Sequence, residues 1–302
     1  MLFRSLVWAG KETDALAGTA PLRRVEDGFL RSRGLGAQLV PPLSLVTDDL
    51  GIYYDPTRES RLERLIAAPP PPGGEVRAAA LVARMRAAGL SKYNLAGAAL
   101  PDLPKGHRIL VPGQVEDDAS IRLGAGQVRT NLDLLRAVRL ANPEGVILFK
   151  PHPDVEAGLR AGAVPPERLA GLADLALPHT DPIALIDAVD EVWTMTSLLG
   201  FEALLRGKPV TCLGAPFYAG WGLTRDLGPI PARRTARPTL LALAHATLIA
   251  YPRYRDPVTG LPCSAEVVAD RLASGAGQRV GAGNRLLSKL QGLMASRADL
   301  WR

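Results

Sequence analysis

The sequence is poor in cysteine and in aromatic residues, and it has no long hydrophobic run. Its two cysteines, Cys212 and Cys263, stand far apart in 302 residues. That excludes a disulfide framework or a zinc site and points to a reducing compartment. No stretch of about 18 apolar residues occurs, so no segment reads as a membrane span. The opening "MLFRSLVWAGKETDALAG" carries a short apolar patch in place of the uninterrupted core of a secretory signal. Within it, "LVWAG" reads as a buried strand, over 5–9, ending in a turn. Five Phe and six Tyr, without interleaved basic residues, exclude single-strand nucleic-acid recognition. No internal repeat is present, and low complexity is confined to "PPPPGG" at 69–74.

What is present is ordinary globular material, 47% hydrophobic and 22% charged, enough for one large domain or two modest ones. The net charge is +6, carried by arginines spread along the chain rather than by a lysine-rich tail. Such a surplus suits anionic lipid or an anionic nucleotide-sugar.

The first third reaches "VEDG" by residue 26; "RRVEDG" makes a poor strand. Residues 41–55 predict a strand pair around a polar turn at Asp48–Gly51. Residues 57–68 predict a helix facing inward through Leu62, Leu65 and Ile66. After the proline break, 75–90 predicts a second helix spanning between lobes. From residue 107 the pattern becomes strand, loop, helix, repeated. "HRILVPGQ", "GVILFKPHP", "EVWTMTS" and "KPVTCLG" are strands; "TNLDLLRAVRLAN", "DPIALIDAVD" and "LLGFEALLRG" are helices; "PTLLALAHATLIAYPRY" and "NRLLSKLQGLMASRADLW" close the chain as helices. That alternation predicts a parallel sheet covered on both faces, with ligands at the carboxyl ends of its strands.

Polar residues gather at those ends. Thr196–Ser197 ends a strand and opens a helix, where free backbone N–H groups and the helix dipole favour a phosphate. Glu202, one turn on, is placed to accept the hydroxyls of a ribose. The plain alternative is a capped helix with an exposed glutamate. Lys150 and His152 follow a buried strand in "FKPHPD", rigidly held by prolines and suited to a phosphate leaving group. His107, His179 and His245 read as surface or loop residues. Glu116, Asp117 and Asp118 could bind a cation, cap a helix or act covalently. In "RRVEDGFLRSRGLG", Glu26 and Asp27 are flanked by arginines, as a rim around an anionic sugar would be. Should the two acidic clusters meet across a cleft, about 5 Å apart, they would supply the acid/base and nucleophile of a retaining glycosyl transfer.

Together "VWAGKE", "VEDGFLRSRGLG", "PPLSLVTDDLGIYYD", "KYN", "LVPGQVEDDASI", "FKPHPD" and "TMTSLLGFEALLRGKPVTCLGAPFYAGWGLT" resemble the retaining β-Kdo glycosyltransferases of bacterial capsule polysaccharide synthesis. The resemblance covers most of the chain. It implies an α/β fold of two Rossmann-like lobes, a GT-B-type glycosyltransferase with a cleft between them. An N-terminal lobe at 1–104 would carry the EDG motif, and a nucleotide-sugar lobe with closing helices would occupy 105–302. The implied reaction moves Kdo (3-deoxy-D-manno-oct-2-ulosonic acid) from CMP-β-Kdo, with retention, to a lipid-linked saccharide or glycolipid at the inner face of the cytoplasmic membrane. No metal or cofactor beyond the CMP-Kdo donor is implied.

By position, Asp118 matches the nucleophile and Glu26 the acid/base. His152 and Lys150 match phosphate contacts, Ser197 and Glu202 the nucleotide segment, and Arg31, beside Asp27, a partner for the donor carboxylate. Family members often carry Gly where this chain has Asp117, so Asp117 and Asp118 both stand as nucleophile candidates. Members also often carry two modules in tandem. One module with a short lead-in fits a protein adding one Kdo or one linkage type, or a sequence beginning after its natural first residue. The alternatives are an inverting CMP-sialic acid (nonulosonate) transferase and a non-catalytic capsule-assembly subunit.

Overall fold

The computed structural model describes residues 5–13, 21–34, 40–95 and 97–276; the expected helix in "NRLLSKLQGLMASRADLW" lies outside them. Two sheets organise the chain. The second is parallel throughout. Its strands β4 (Arg108–Pro112), β5 (Val146–Lys150), β6 (Leu175–Ala176), β7 (Glu191–Thr194), β8 (Val210–Cys212) and β9 (Arg225–Asp226) run in the order β6-β5-β4-β7-β8-β9. Its central strands are buried along nearly their whole length, as helices on both faces require. Burying each Leu, Ile or Val there is worth about 1.5–3 kcal/mol. The helices Asn131–Ala141, Pro182–Ala188 and Leu198–Leu205 fall where alternation placed them, each capped by a side chain, those of Thr130, Asp181 and Ser197.

The first sheet corrects several expectations. Its order is β1 (Ser5–Trp8), β2 (Leu22–Asp27), β3 (Ser44–Asp48), β10 (Pro252–Arg255), β11 (Pro262–Cys263). Only β1 and β2 pair in parallel; β2–β3, β3–β10 and β10–β11 are antiparallel, so this half is not Rossmann-like. Residues of the stretch expected to form a C-terminal lobe, 105–302, therefore return to the first sheet at 252. "RRVEDG" is a strand after all, because β1 and β3 supply partners on both sides. β1 is an exposed edge, with Leu6 66% and Trp8 50% accessible, rather than a buried strand.

The strand pair expected over 41–55 is one strand followed by turns. Buried Asp48 accepts from the N–H groups of Leu50, Gly51 and Arg61 and from the Tyr251 hydroxyl, which pulls the chain away from a hairpin. The helix expected at 75–90 is Gly74–Ala87, and it packs on Leu240–His245 and Ala265–Ser274 rather than spanning between lobes. The stretch 238–254, expected as helix throughout, is α-helical only over Leu240–His245, passes through a π-turn at Ala246–Ala250 and enters β10.

The two halves share one core. Phe29, just after β2, stacks against Tyr53 and Phe217 with centroids 4.9 and 5.1 Å away, and Phe217 meets Phe201 of the helix Leu198–Leu205 at 5.3 Å. Glu63, buried on the helix Arg61–Ala67, pairs with Arg233 and with Arg234, whose side chain is 1% accessible.

Candidate functional site

A cavity of about 710 Å³ opens where the carboxyl ends of β4, β5 and β7 face the end of β2. Glu26 and Asp27 reach it from β2, and Asp118 from the turn after β4. Lys150 and His152 enter from the exit of β5, and Ser197 and Glu202 from the helix after β7. The structure thus gathers seven of the eight expected residues around one space.

Arg31 is the exception. It does not line the cavity; it is 6% accessible and bonds Asp27, the Ser32 hydroxyl and the Val40 carbonyl. It is a brace for the EDG loop. Gly28 of that motif is required by crowding: a Cβ there would lie 2.3 Å from Ser44 Oγ.

The acidic cluster divides three ways. Glu116 accepts from the Asn131 N–H at 2.7 Å, capping a helix. Asp117 is exposed and pairs with Arg160 at 2.9 Å. Asp118 alone of the three lines the cavity, and its Oδ1 accepts from the Ser120 N–H at 2.9 Å and hydroxyl at 2.7 Å. Those bonds fix the carboxylate's rotation while Oδ2 makes none among the described residues.

Burial raises the pKa of Glu26 above the usual carboxylate range; the Asp27 N–H and Lys92 oppose the rise, and the negative charges of Asp27 and Asp118 add to it. A carboxyl group whose pKa is raised is better suited to take up a proton than an ordinary glutamate. The charge of Asp118 acts on both Glu26 and His152.

His152 caps the short helix Pro153–Glu156, its Nδ1 accepting from the Asp154 N–H at 3.1 Å. That bond puts the ring proton on Nε2, where it can donate to an anion. Burial lowers the pKa of this histidine despite the opposing charges of Asp154 and Asp118, and the neutral ring is the form the cap requires. Lys150 lines the cavity, but its ammonium bonds Glu156 at 2.7 Å and the Pro151 carbonyl at 2.9 Å. It positions the loop rather than offering an open charge.

At the expected phosphate cradle the Thr196 N–H bonds Gln114 Oε1 and the Ser197 N–H bonds Thr194 Oγ1, so neither expected backbone donor is open. Ser197 Oγ caps the helix through the Leu199 N–H at 3.2 Å and keeps its own proton to donate. Gly200 lets this helix meet "PFYAGWGLT": a Cβ would stand 2.2 Å from the Tyr218 hydroxyl, which bonds the Ser197 carbonyl. Glu202 is buried, not exposed. Its Oε1 accepts from the Lys92 N–H at 2.8 Å, and burial pushes its pKa up to about 7.

Sequence reasoning passed over Lys92, Tyr53 and Tyr54, which line the cavity from "KYN" and "DDLGIYYD". It also set aside His179, which lines the cavity and pairs with Glu156 at 3.0 Å, and read His245 as a surface or loop residue although it ends a helix and is 8% accessible. No signal marks His179 except its φ of +55°, visible only in the fold. Among the described residues no cluster of three or more His, Cys, Asp or Glu could hold a metal ion, and no helix is long and apolar enough to cross a membrane.

Comparison with known proteins places this geometry. The chain is 49% identical over 277 residues to the capsule polysaccharide modification protein LipA of Neisseria meningitidis serogroup B, covering 89% of this chain and 39% of LipA. It is 49% identical over 263 residues to the lipopolysaccharide-processing protein LpsZ of Rhizobium meliloti, covering 84% of this chain and 58% of LpsZ. It thus spans less than two thirds of either relative. Two structures of Thermosulfurimonas dismutans KpsC share the fold. The beta Kdo 2,4 transferase has a TM-score of 0.80 and 37% identity, covering 89% of this chain and 86% of that one. The beta Kdo 2,7 transferase has a TM-score of 0.75 and 38% identity, covering 90% and 85%. The family model for capsule polysaccharide biosynthesis proteins matches residues 10–93 and 79–254. With the match extending over most of its length, the chain belongs to the capsule polysaccharide biosynthesis protein family.

Proposed function

We propose that the chain transfers Kdo from CMP-β-Kdo to a glycolipid or saccharide acceptor with retention of configuration. The observation that carries the reading is the convergence of Glu26, Asp118 and His152, from three strand exits, on one cavity. The likeness to two Kdo transferase structures supports it. In this reading two lobes face one cleft, as in a GT-B arrangement but with only one of them Rossmann-like: the first sheet belongs to the acceptor lobe and the parallel sheet to the nucleotide-sugar lobe.

Asp118 Oδ2 attacks C2 of the bound sugar, the bond from C2 to the phosphate oxygen breaks, and CMP leaves with the electron pair. His152 Nε2–H and the Ser197 hydroxyl take up the charge on the departing phosphate. Glu26 then removes the proton from the acceptor hydroxyl, which attacks C2 and releases Asp118. Two displacements at one carbon restore its configuration. The basic surplus suits a protein working at the anionic inner face of the cytoplasmic membrane.

Glu26→Gln is the test. It keeps the shape of the side chain and removes the base, so adduct formation survives while transfer stalls. Intact mass spectrometry after addition of CMP-Kdo should show protein carrying one Kdo, with fragmentation placing it on Asp118. Normal transfer without adduct would remove Glu26 as base, and an inverted product would remove the double displacement.

A further inference from the structure

The cavity is lined by five cationic or basic side chains, and four are already committed. Lys150 and His179 share Glu156, Arg160 holds Asp117, and His152 is a neutral helix cap. The fifth is Lys92. Its Nζ makes no hydrogen bond and no ion pair among the described residues, and lies 5.4 Å from the centroid of the Tyr93 ring.

Its backbone, in contrast, is pinned at both ends. The Lys92 N–H bonds Glu202, and its carbonyl accepts from the N–H groups of Arg31 at 3.0 Å and Ser32 at 3.2 Å. The turn around it is locked by reciprocal bonds between Ser91 and Asn94, and by Asn94 Nδ2 to the Ser32 carbonyl at 2.9 Å. A pinned backbone beneath an uncommitted ammonium is the arrangement of a ligand contact rather than a brace. Burial works against that charge, but the carboxyl groups of Asp27 and Glu26 favour it, and the pKa of Lys92 lies above the usual lysine value. Those two acids do not consume it: Asp27 is bonded to Arg31, and Glu26 Oε1 accepts from the Asp27 N–H at 3.1 Å.

Position tells which anion it meets. Lys92 lies against the loop that follows Glu26 and Asp27, its carbonyl accepting from Arg31 and Ser32, whereas His152 enters the cavity from the exit of β5 in the other sheet. The phosphate side and the Lys92 side of the cavity are therefore different. In a CMP-activated 2-keto sugar acid the anomeric carbon bears both the phosphate and a carboxylate. With that carbon between Asp118 and Glu26 and the phosphate toward His152, the carboxylate is left to Lys92. We propose, resting on the Kdo-transfer reading above, that Lys92 is the residue that recognises the carboxylate of the donor sugar and selects ulosonic acids over neutral sugars. Arg31, expected in that role, is occupied elsewhere.

The test compares three probes by calorimetry: CMP, CMP-Kdo, and a CMP-Kdo analogue with its carboxylate converted to an amide. Lys92→Met keeps the length of the side chain and removes the charge. It should weaken CMP-Kdo on the order of 10- to 100-fold, leave CMP within about twofold, and abolish the preference for the acid over the amide. Lys92→Gln, run in parallel, should behave alike, and unchanged CMP affinity shows that each variant is folded. Equal loss of CMP and CMP-Kdo would assign Lys92 to the phosphate and overturn the proposal, as would a preference for the acid that persists in both variants. If the unaltered protein binds CMP-Kdo no better than CMP, the Kdo-transfer reading fails; if it binds and transfers Kdo but the variants match it, only the role of Lys92 fails.

Discussion

Lys92 donates its backbone N–H to Glu202 Oε1 at 2.8 Å across 110 positions of sequence. The bond ties the turn beside the EDG loop to the helix Leu198–Leu205. It also holds a carboxyl group that is only 8% accessible.

That burial makes Glu202 a source of pH dependence. Its folded pKa, about 7, lies above its ordinary value of 4.5, so between the two the folded protein binds the extra proton. Stability from this group is therefore greatest at low pH and falls as pH rises toward 7, by on the order of 3 kcal/mol in full. Denaturant titrations from pH 5 to 8 should show Glu202→Gln gaining on the unaltered protein as pH rises. A constant difference across that range would count against a raised pKa.

Asp118→Asn should lower transfer on the order of a thousandfold or more while retaining CMP affinity, since in the proposed mechanism the lost oxygen meets the sugar and not the nucleotide. Asp117→Asn, which breaks only an exposed pair with Arg160, should keep near-normal turnover. Steady-state kinetics on the two variants decides the nucleophile, and the opposite ranking would move it one residue.

His152→Ala should weaken CMP by about 10- to 100-fold, because a hydrogen bond to a charged phosphate is worth about 1.5–3 kcal/mol. Calorimetry with CMP is the check. Unchanged affinity would leave His152 as the cap of its short helix and nothing more.

Glu63→Ala should destabilise the fold by about 3–5 kcal/mol, since it strands the buried guanidinium of Arg234. Arg234 also bonds the Pro216 and Ala219 carbonyls, so the "PFYAG" segment should loosen first. Hydrogen exchange would show that segment exchanging faster than β4 or β5; uniform exchange would contradict it.

The parallel sheet was readable from sequence because its signals are local. Apolar runs such as "RILV" and "VILF", followed by a capping residue and a periodic helix, need only neighbouring residues to state what they are. The same locality placed Asp118, His152 and Ser197 at strand ends, whereas the strand that carries Glu26 was not read. What sequence could not decide was which way each side chain turns and what it meets. Asp117 and Asp118 are neighbours of identical chemistry; Arg160 draws one to the surface, and Ser120 holds the other in the cavity. Arg31 looked like a ligand because arginine suits a carboxylate, and the fold supplied it one of its own in Asp27. Lys92 looked like nothing, because its partners Glu202, Arg31 and Ser32 come from other parts of the chain. Residues 252–263 declared a strand pattern too short to read, and joined the first sheet only because β3 presented an open edge. Composition and periodicity determine what a segment is; long-range pairing of charges and strand edges, paid for by burial, determines which of its groups remain free to act.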